Sequence, residues 1–383
     1  MKILAIETSC DDTGIAVLEV SGAHSAPRFK IFANLISSQT DLHATYGGVF
    51  PMMAKREHAR NIVPLCVAGL KQSKLLKKAK TPLVINSKKL EILLEREPEM
   101  LEIFLKEIPK YEKPKLDRIA VTVGPGLEPT LWVGINFARA LSLVWNIPVV
   151  PVNHMAGHIL SVFTGGKKSF TIPTKSFPAL SLLVSGGHTE IVLAKKIGAY
   201  TILGSTKDDA AGEAFDKVAR MLGFPYPGGP AISAMADIAR KASTKIFTLP
   251  RPMLRSDDYN FSFSGLKTAV LYTIRDHGKL SPDDVNDLCR EFEDAAVEVL
   301  VHKTLRAVKE YKTTSVIVGG GVSANTHLRT ELTKALKKEN VAVLFPDKKL
   351  STDNALMIAI AGYFEKANKN SRSLMKADGN LKL

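Results

Sequence analysis

The 383-residue sequence predicts an α/β protein built as two similar lobes facing one nucleotide cleft. Three patterns carry that reading. An apolar run, a polar turn and a second apolar run occur near the N-terminus, and the same arrangement recurs at 180–195; each is the grammar of a β-hairpin. A strand leading through a glycine turn into a helix follows at 315–338, the βα unit of nucleotide-binding α/β proteins.

Taken in order, Ile3–Ile6 is a short apolar strand, Glu7–Thr13 is polar, Gly14 supplies permissive backbone, and Ile15–Val20 is the return strand. Met52–Leu70 has the apolar spacing of a helix, and Gly134–Trp145 is apolar enough to be a buried one. Leu180–Val184, Ser185–Thr189 and Ile191–Ala194 repeat the sequence of strand, turn and strand. Ser315–Val318 is the strand before Gly319-Gly320-Gly321, and Thr326–Lys338 is the helix after it. Residues 71–115 stand apart, with 11 Lys and 1 Arg against 7 Glu, a net of 12 − 7 = +5. Their Leu90, Leu94, Leu101 and Phe104 have helical spacing, and Pro98 is expected to open a second helix rather than interrupt one. The stretch reads as a solvated amphipathic insertion in preference to a dedicated RNA arm. Lys366–Leu383 is polar and basic and is expected to fray.

Composition narrows the class. Hydrophobic residues are 45% and charged residues 23%, which excludes a disordered tail or a disulfide-stapled mini-domain. The charge, 52 − 38 = +14, favours polyanionic partners. Three scattered cysteines without a CxxC pair, no apolar window near 18 residues and an apolar strand starting at Ile3 lead to the expectation of a cytoplasmic protein with no membrane span.

Several residues could do chemistry. His154 and His158, four apart, share one face of a helix and could share a metal; two ordinary core histidines fit the spacing equally well. Met155 stands where an HExxH protease needs its glutamate, so that route fails. Asp353, in Ser351–Asn354, reads from its position as part of a helix cap before the apolar helix Ala355–Tyr363. The glycine turns at 185–187, 227–230 and 319–321 would admit a phosphate to backbone amides, although no GxxxxGK[ST] or GxGxxG occurs. Asp208 and Asp209 read as helix caps or as ribose ligands, with Asp216 on the same helix. Asp11 and Asp12 lie in the first polar turn beside Cys10, a small filler rather than a nucleophile. Arg251, Arg255 and Lys267, among the phenylalanines at 261 and 263, could grip RNA or simply be solvated.

Together, Glu7–Gly14, the His154/His158 pair, Leu183–Thr189, Asp209–Lys217, Tyr226–Pro230, Phe261–Thr268, Gly319–Asn325 and Ser351–Asn354 occur in an order that resembles one family, the TsaD/KEOPS catalytic-subunit family of tRNA threonylcarbamoyladenosine biosynthesis. The resemblance spans 1–70 and 117–365. It implies a two-lobed actin/Hsp70-like (ASKHA) fold: lobe 1–152 with the basic insertion, lobe 153–346, and 347–383 as a helix returning to the first lobe plus a frayed tail. It implies transfer of a threonylcarbamoyl group from threonylcarbamoyl-AMP to N6 of adenosine 37, in tRNAs reading codons that begin with A. The metal, Fe2+ or Zn2+, would sit on His154, His158 and Asp353. Leu183, Val184, Ser185, Gly186, Gly187, Asp216, Gly229 and Asn325 would bind the adenylate, and Asp11 would orient or deprotonate the amine. The implied partners are tRNA, a related lobe protein (TsaB) and an ATPase (TsaE). Asn153 matches the KEOPS branch, whereas Ala156 replaces a glutamate common in bacterial members. The readings left beside this one are a metal-dependent carbamoyltransferase acting on a small molecule and a non-catalytic scaffold of the same fold.

Overall fold

The computed structural model describes residues 1–173, 176–242, 246–367 and 375–383. It divides into two units, Met1–Thr174 with Asp353–Leu383, and Lys175–Thr352.

Unit 1 holds β1 (Lys2–Glu7), β2 (Asp12–Ser21), β3 (Arg28–Ser38), α1 (Thr40–Ala44), α2 (Pro51–Gln72), α3 (Ser87–Leu93), α4 (Pro98–Glu107), β4 (Arg118–Gly124), α5 (Glu128–Trp145), β5 (Val149–Asn153), α6 (His154–Ser161) and β6 (Ser169–Thr171). Its sheet runs β5-β4-β1-β2-β3-β6, with β1 parallel to β4 and antiparallel to β2. Unit 2 holds β7 (Ala179–Val184), β8 (Thr189–Lys196), β9 (Ala199–Ser205), α7 (Ala211–Met221), α8 (Gly228–Ala242), α9 (Ser264–His277), α10 (Pro282–Tyr311), β10 (Ser315–Gly319), α11 (Thr326–Lys338) and β11 (Ala342–Leu344). Its sheet runs β11-β10-β7-β8-β9. α12 (Ala355–Phe364) belongs to unit 1 and packs on β1, β2, β5 and α6.

The two hairpins and the βα unit lie where the apolar runs and turns put them, and Pro98 occupies the first turn of α4. The lobe boundary expected at 152/153 falls between β5 and α6, which are contiguous within unit 1, and the chain re-enters that unit at Asp353 rather than at 347. The cause is packing. Met357, Ile358 and Ile360 of α12 are fully buried, each worth about 1.5–3 kcal/mol of burial, and they are buried against unit 1.

The tail also differs from the expectation. Residues 368–374 lie outside the described residues, but Met375–Leu383 is docked. Asp378 N–H donates to Val123 O at 2.9 Å, Gly126 N–H to Gly379 O at 3.2 Å, and Asn153 Nδ2 to Lys382 O at 3.2 Å. Met375, Ala377 and Leu381 pack on the unit 1 core while Lys376, Asp378, Asn380 and Lys382 face out. Buried or half-buried residues alternate with exposed ones along 375–383, through a turn in which Leu381 N–H donates to Asp378 O at 3.2 Å.

Candidate functional site

In unit 1 the site is assembled by strand ends. β1 ends at Glu7, and the turn from Thr8 to Asp11 follows at the edge of a buried sheet. β5 ends at Asn153, whose side-chain oxygen accepts from Met155 N–H at 2.8 Å and Ala156 N–H at 3.2 Å, so α6 starts at His154 with a side-chain cap. Helical spacing then puts His158 one turn on, on the same face. Asp353 arrives because α12 starts against the first hairpin: a Cβ on Gly14 would stand 2.9 Å from Ala355 N, so only glycine admits the helix there. The cap of α12 is Asn354, whose Oδ1 accepts from Met357 N–H at 3.1 Å, and the carboxylate of Asp353 is left for other contacts.

Three donor atoms converge. His154 Nε2 and His158 Nε2 are 3.1 Å apart, and each lies 3.2 Å from Asp353 Oδ1. Both imidazoles are buried. Donors bound to one ion at about 2.0–2.2 Å in a tetrahedral shell stand about 3.4 Å apart, so this triangle fits one divalent ion with little rearrangement. Two histidines and one carboxylate also leave coordination positions open for a substrate.

Behind the triangle, Glu7 completes the arrangement. Fully buried, it accepts from Thr122 Oγ1–H at 2.6 Å and Ser9 N–H at 2.5 Å, and its Oε2 is 3.1 Å from His154 Nδ1. A proton on Nδ1 facing Glu7 leaves the Nε2 lone pair facing the cluster. Burial opposes charge on His154, but the Asp353 and Glu7 carboxylates outweigh it and push its pKa up to about 10. Burial alone would raise Asp353, yet His154 and His158 hold it well below the usual carboxylate range. His158 is kept below its usual value by burial. Positive charge is thus demanded where the three donors meet.

The first turn is crowded with acids. Burial and the nearby Asp353 raise Asp11, burial pushes Asp12 up to about 7, and burial with Asp11 lifts the Cys10 thiol well above its usual value, which rules against a thiolate nucleophile. His58 of α2 holds this turn, with Nδ1 at 2.7 Å from Thr13 Oγ1 and Nε2 at 2.9 Å from Cys10 O; burial lowers it to about 4.

In unit 2 the glycine turns at 185–187 and 319–321 stand side by side at the ends of the paired strands β7 and β10. Gly320, at φ +89°, has no room for a Cβ beside Val184 O, and a Cβ on Gly212 would meet Ser185 O at 2.7 Å. Around Gly186, Gly187, Gly229 and Gly321 there is open space. Asp216 Oδ1 accepts from Gly228 N–H at 2.7 Å and so fixes the 227–230 loop at the start of α8. Asn325 caps α11 by accepting from Leu328 N–H at 2.8 Å, and its Nδ2 donates to Glu293 Oε1 at 2.6 Å. The side chains of Leu183 and Val184 are fully buried in β7, leaving only their backbone at the strand end. Neither Asp208 nor Asp209 caps α7, whose N-cap position is Ala210. Asp208 accepts from Ser262, Phe263 and Ser264, and Asp209 pairs with Lys217 and Lys267, so the 261–265 loop is tied to the start of α7. Arg251 is paired with Glu291 and Glu298.

The two units share one sheet plan, that of an actin/Hsp70-like scaffold; unit 1 carries the two-histidine, one-carboxylate triangle and unit 2 carries the glycine turns. The family profile for tRNA N6-adenosine threonylcarbamoyltransferase, TsaD, matches residues 30–82 and 94–360. The chain belongs to the TsaD family. Proteins named tRNA N6-adenosine threonylcarbamoyltransferase from Thermosipho africanus (strain TCF52B) and Chromobacterium violaceum are 41% and 42% identical to it. The first alignment covers 100% of both chains, and the second covers 94% of this chain and 92% of the relative. Full-length HypF in its phosphate- and nucleotide-bound form shares the fold, with TM-score 0.52 at 11% identity over 99% of this chain and 47% of that one. Among the described residues, no helix is long and apolar enough to cross a membrane.

Proposed function

We infer that this chain transfers the threonylcarbamoyl group of threonylcarbamoyl-AMP to N6 of adenosine 37 in tRNAs reading codons that begin with A, forming t6A. The observation that carries the reading is the triangle of His154, His158 and Asp353 in a chain whose relatives carry this activity in their names.

A bound Fe2+ or Zn2+ would supply Lewis-acid polarisation of the carbamoyl carbonyl. His154, His158 and Asp353 would hold it, with Glu7 fixing the His154 ring. The N6 amine forms the new C–N bond, the C–O bond to the AMP phosphate breaks, and the amine proton passes to a base. Asp11 is the candidate: it lies at a strand end, and burial raises its proton affinity towards the range a general base needs. For the AMP end, the backbone of Gly186, Gly187 and Gly229 offers N–H groups with no side chain in the way, while Ser185 closes the turn by donating its own N–H to His188 O. Asp216 holds the 227–230 loop in shape and Asn325 the start of α11, while Leu183 and Val184 contribute backbone alone. Relatives from bacteria favour a related lobe protein (TsaB) and an ATPase (TsaE) as partners. Free cysteines and a tRNA substrate favour the cytoplasm.

The test is mass-spectrometric nucleoside analysis of an A-codon tRNA incubated with the chain, metal and threonylcarbamoyl-AMP, alone and with an extract lacking only this protein. t6A in either condition is expected. Its absence from both, with metal bound and the extract proven by an authentic enzyme, overturns the reading.

A further inference from the structure

The insertion at 71–115 is divided by charge. Residues 71–90 carry seven lysines and no acid, whereas the seven glutamates all lie between Glu91 and Glu112. Three of the seven glutamates are used internally: Glu97 faces Lys55 at 3.5 Å and accepts from Asn136 at 3.0 Å, Glu99 pairs with Arg60 at 2.8 Å, and Glu107 pairs with Lys110 at 2.8 Å. The basic half is left over. All seven of its lysines are exposed, and among the described residues none has an ion-pair partner within 4 Å.

These lysines stand on an ordered platform. Ala79 N–H donates to Lys110 O, Glu112 N–H to Lys77 O and Leu83 N–H to Pro109 O, each at 2.9 Å, and Lys78 bridges Tyr111 in antiparallel sense. Leu75, Leu76, Leu83 and Ile85 pack inward on the unit 1 core. The outward face has Val84 as its fully exposed apolar residue and no aromatic ring, so it lacks the apolar centre a protein interface is built around, and lysine is depleted in such interfaces. An array of unpaired ammonium groups on a fixed backbone suits a polyanion.

We propose that the lysine face between Lys71 and Lys89 holds the tRNA substrate by its backbone phosphates, away from the reacting adenosine. The proposal rests on the tRNA reading above. α2 runs from His58, bonded to Cys10 O, to Gln72 at the start of the patch, a rise of roughly 20 Å at about 1.5 Å per residue. A contact at that remove adds affinity and register without touching the chemistry.

The experiment measures binding of an A-codon tRNA to the full chain over a salt series, with metal loaded, alongside t6A formation. In a variant carrying Lys74→Gln, Lys77→Gln, Lys78→Gln and Lys80→Gln, the tRNA Kd rises at least tenfold and the slope of log K against log salt shrinks by about 3. KM for tRNA rises with kcat retained, and affinity for threonylcarbamoyl-AMP is unchanged. The matching Lys→Arg variant keeps wild-type affinity, because charge alone is asked of these positions. A glutamine variant with wild-type Kd and salt slope overturns the proposal, as it would if the face served an acidic protein. So does an arginine variant that loses affinity as the glutamine one does. A wild-type chain that neither binds nor modifies tRNA overturns the functional reading and the patch together; one that does both, beside an equally competent glutamine variant, overturns the patch alone.

Discussion

Units 1 and 2 pair five strands in the same order and the same senses, β5-β4-β1-β2-β3 in one and β11-β10-β7-β8-β9 in the other. The turns closing the corresponding hairpins β1–β2 and β7–β8 share almost nothing. One is Thr8-Ser9-Cys10-Asp11, buried or half-buried and held by side chains from α2 and α6; the other is Ser185-Gly186-Gly187-His188, closed on itself by Ser185 N–H to His188 O at 2.8 Å, with open space at both glycines. A shared sheet plan therefore fixes where chemistry can be mounted, at the end of the first strand of each hairpin. Side-chain content decides which chemistry it is. Buried acids around histidines demand a cation, whereas bare backbone amides favour a phosphate.

The strongest way to break that contrast is to remove the cation site. His154→Ala with His158→Ala is expected to leave metal content near zero by elemental analysis and to lower t6A formation at least about a thousandfold, since a Lewis acid is worth several kcal/mol at a polarised carbonyl. Adenylate binding by unit 2 should survive. Full activity in the metal-free double variant would mean that unit 1 has no metal chemistry to contrast.

Glu7 offers a finer cut. Glu7→Gln keeps the size and a carbonyl oxygen facing His154 but removes the charge, and a lost carboxylate behind a ligating histidine typically costs 10–100-fold in metal affinity. Competition against a chelator for Zn2+ or Co2+ reads this directly, and wild-type affinity in the variant would reduce Glu7 to a packing residue. On the other unit, Asp216→Ala frees Gly228 N–H and the 227–230 loop. Adenylate affinity should fall about tenfold, as expected for a hydrogen bond to a charged group, with metal content unchanged. Equal affinity in the two proteins would remove Asp216 from the nucleotide side of the comparison.

What was legible in the sequence follows the same division. Local patterns sufficed for both hairpins, for α2, α5 and α11, and for the shared face of His154 and His158, because period and spacing are properties of neighbouring residues. Asp353 could not be told from a cap by its position; Asn354 takes the cap, and only the approach of α12 to Gly14 sends Asp353 to the histidines. Glu7 was missed because its partners are 115 and 147 residues away, although an acid closing an otherwise apolar buried strand was a signal. Asp208 and Asp209 looked like caps for the same reason: Ser262, Ser264 and Lys267 are more than fifty residues on. The docked tail was readable, since Met375, Ala377, Gly379, Leu381 and Leu383 alternate with polar residues, but overall polarity masked the period.

The smallest effect concerns how the two turns are held. The unit 2 turn closes through its own Ser185 and His188, whereas the unit 1 turn depends on a buried neutral His58. Burial lowers His58 from the ordinary 6.5 to about 4 in the fold, so between those values the unfolded chain binds a proton that the fold refuses. Stability should fall as pH drops from about 6.5 to about 4, by up to about 3 kcal/mol, and should level off below that. Asp12 acts in the opposite sense: raised to about 7, it keeps a proton in the fold, and the stability this lends is lost as pH rises from about 4 to about 7. Comparing wild type with His58→Gln removes the Asp12 contribution, which both proteins share, while glutamine can still bond Thr13 and the Cys10 carbonyl. The expected result is a melting temperature for the wild type that drops more steeply than the variant's between pH 6.5 and pH 4. Parallel curves would mean that His58 is charged in the fold, and that the unit 1 turn is no more dependent on a titrating side chain than its counterpart in unit 2.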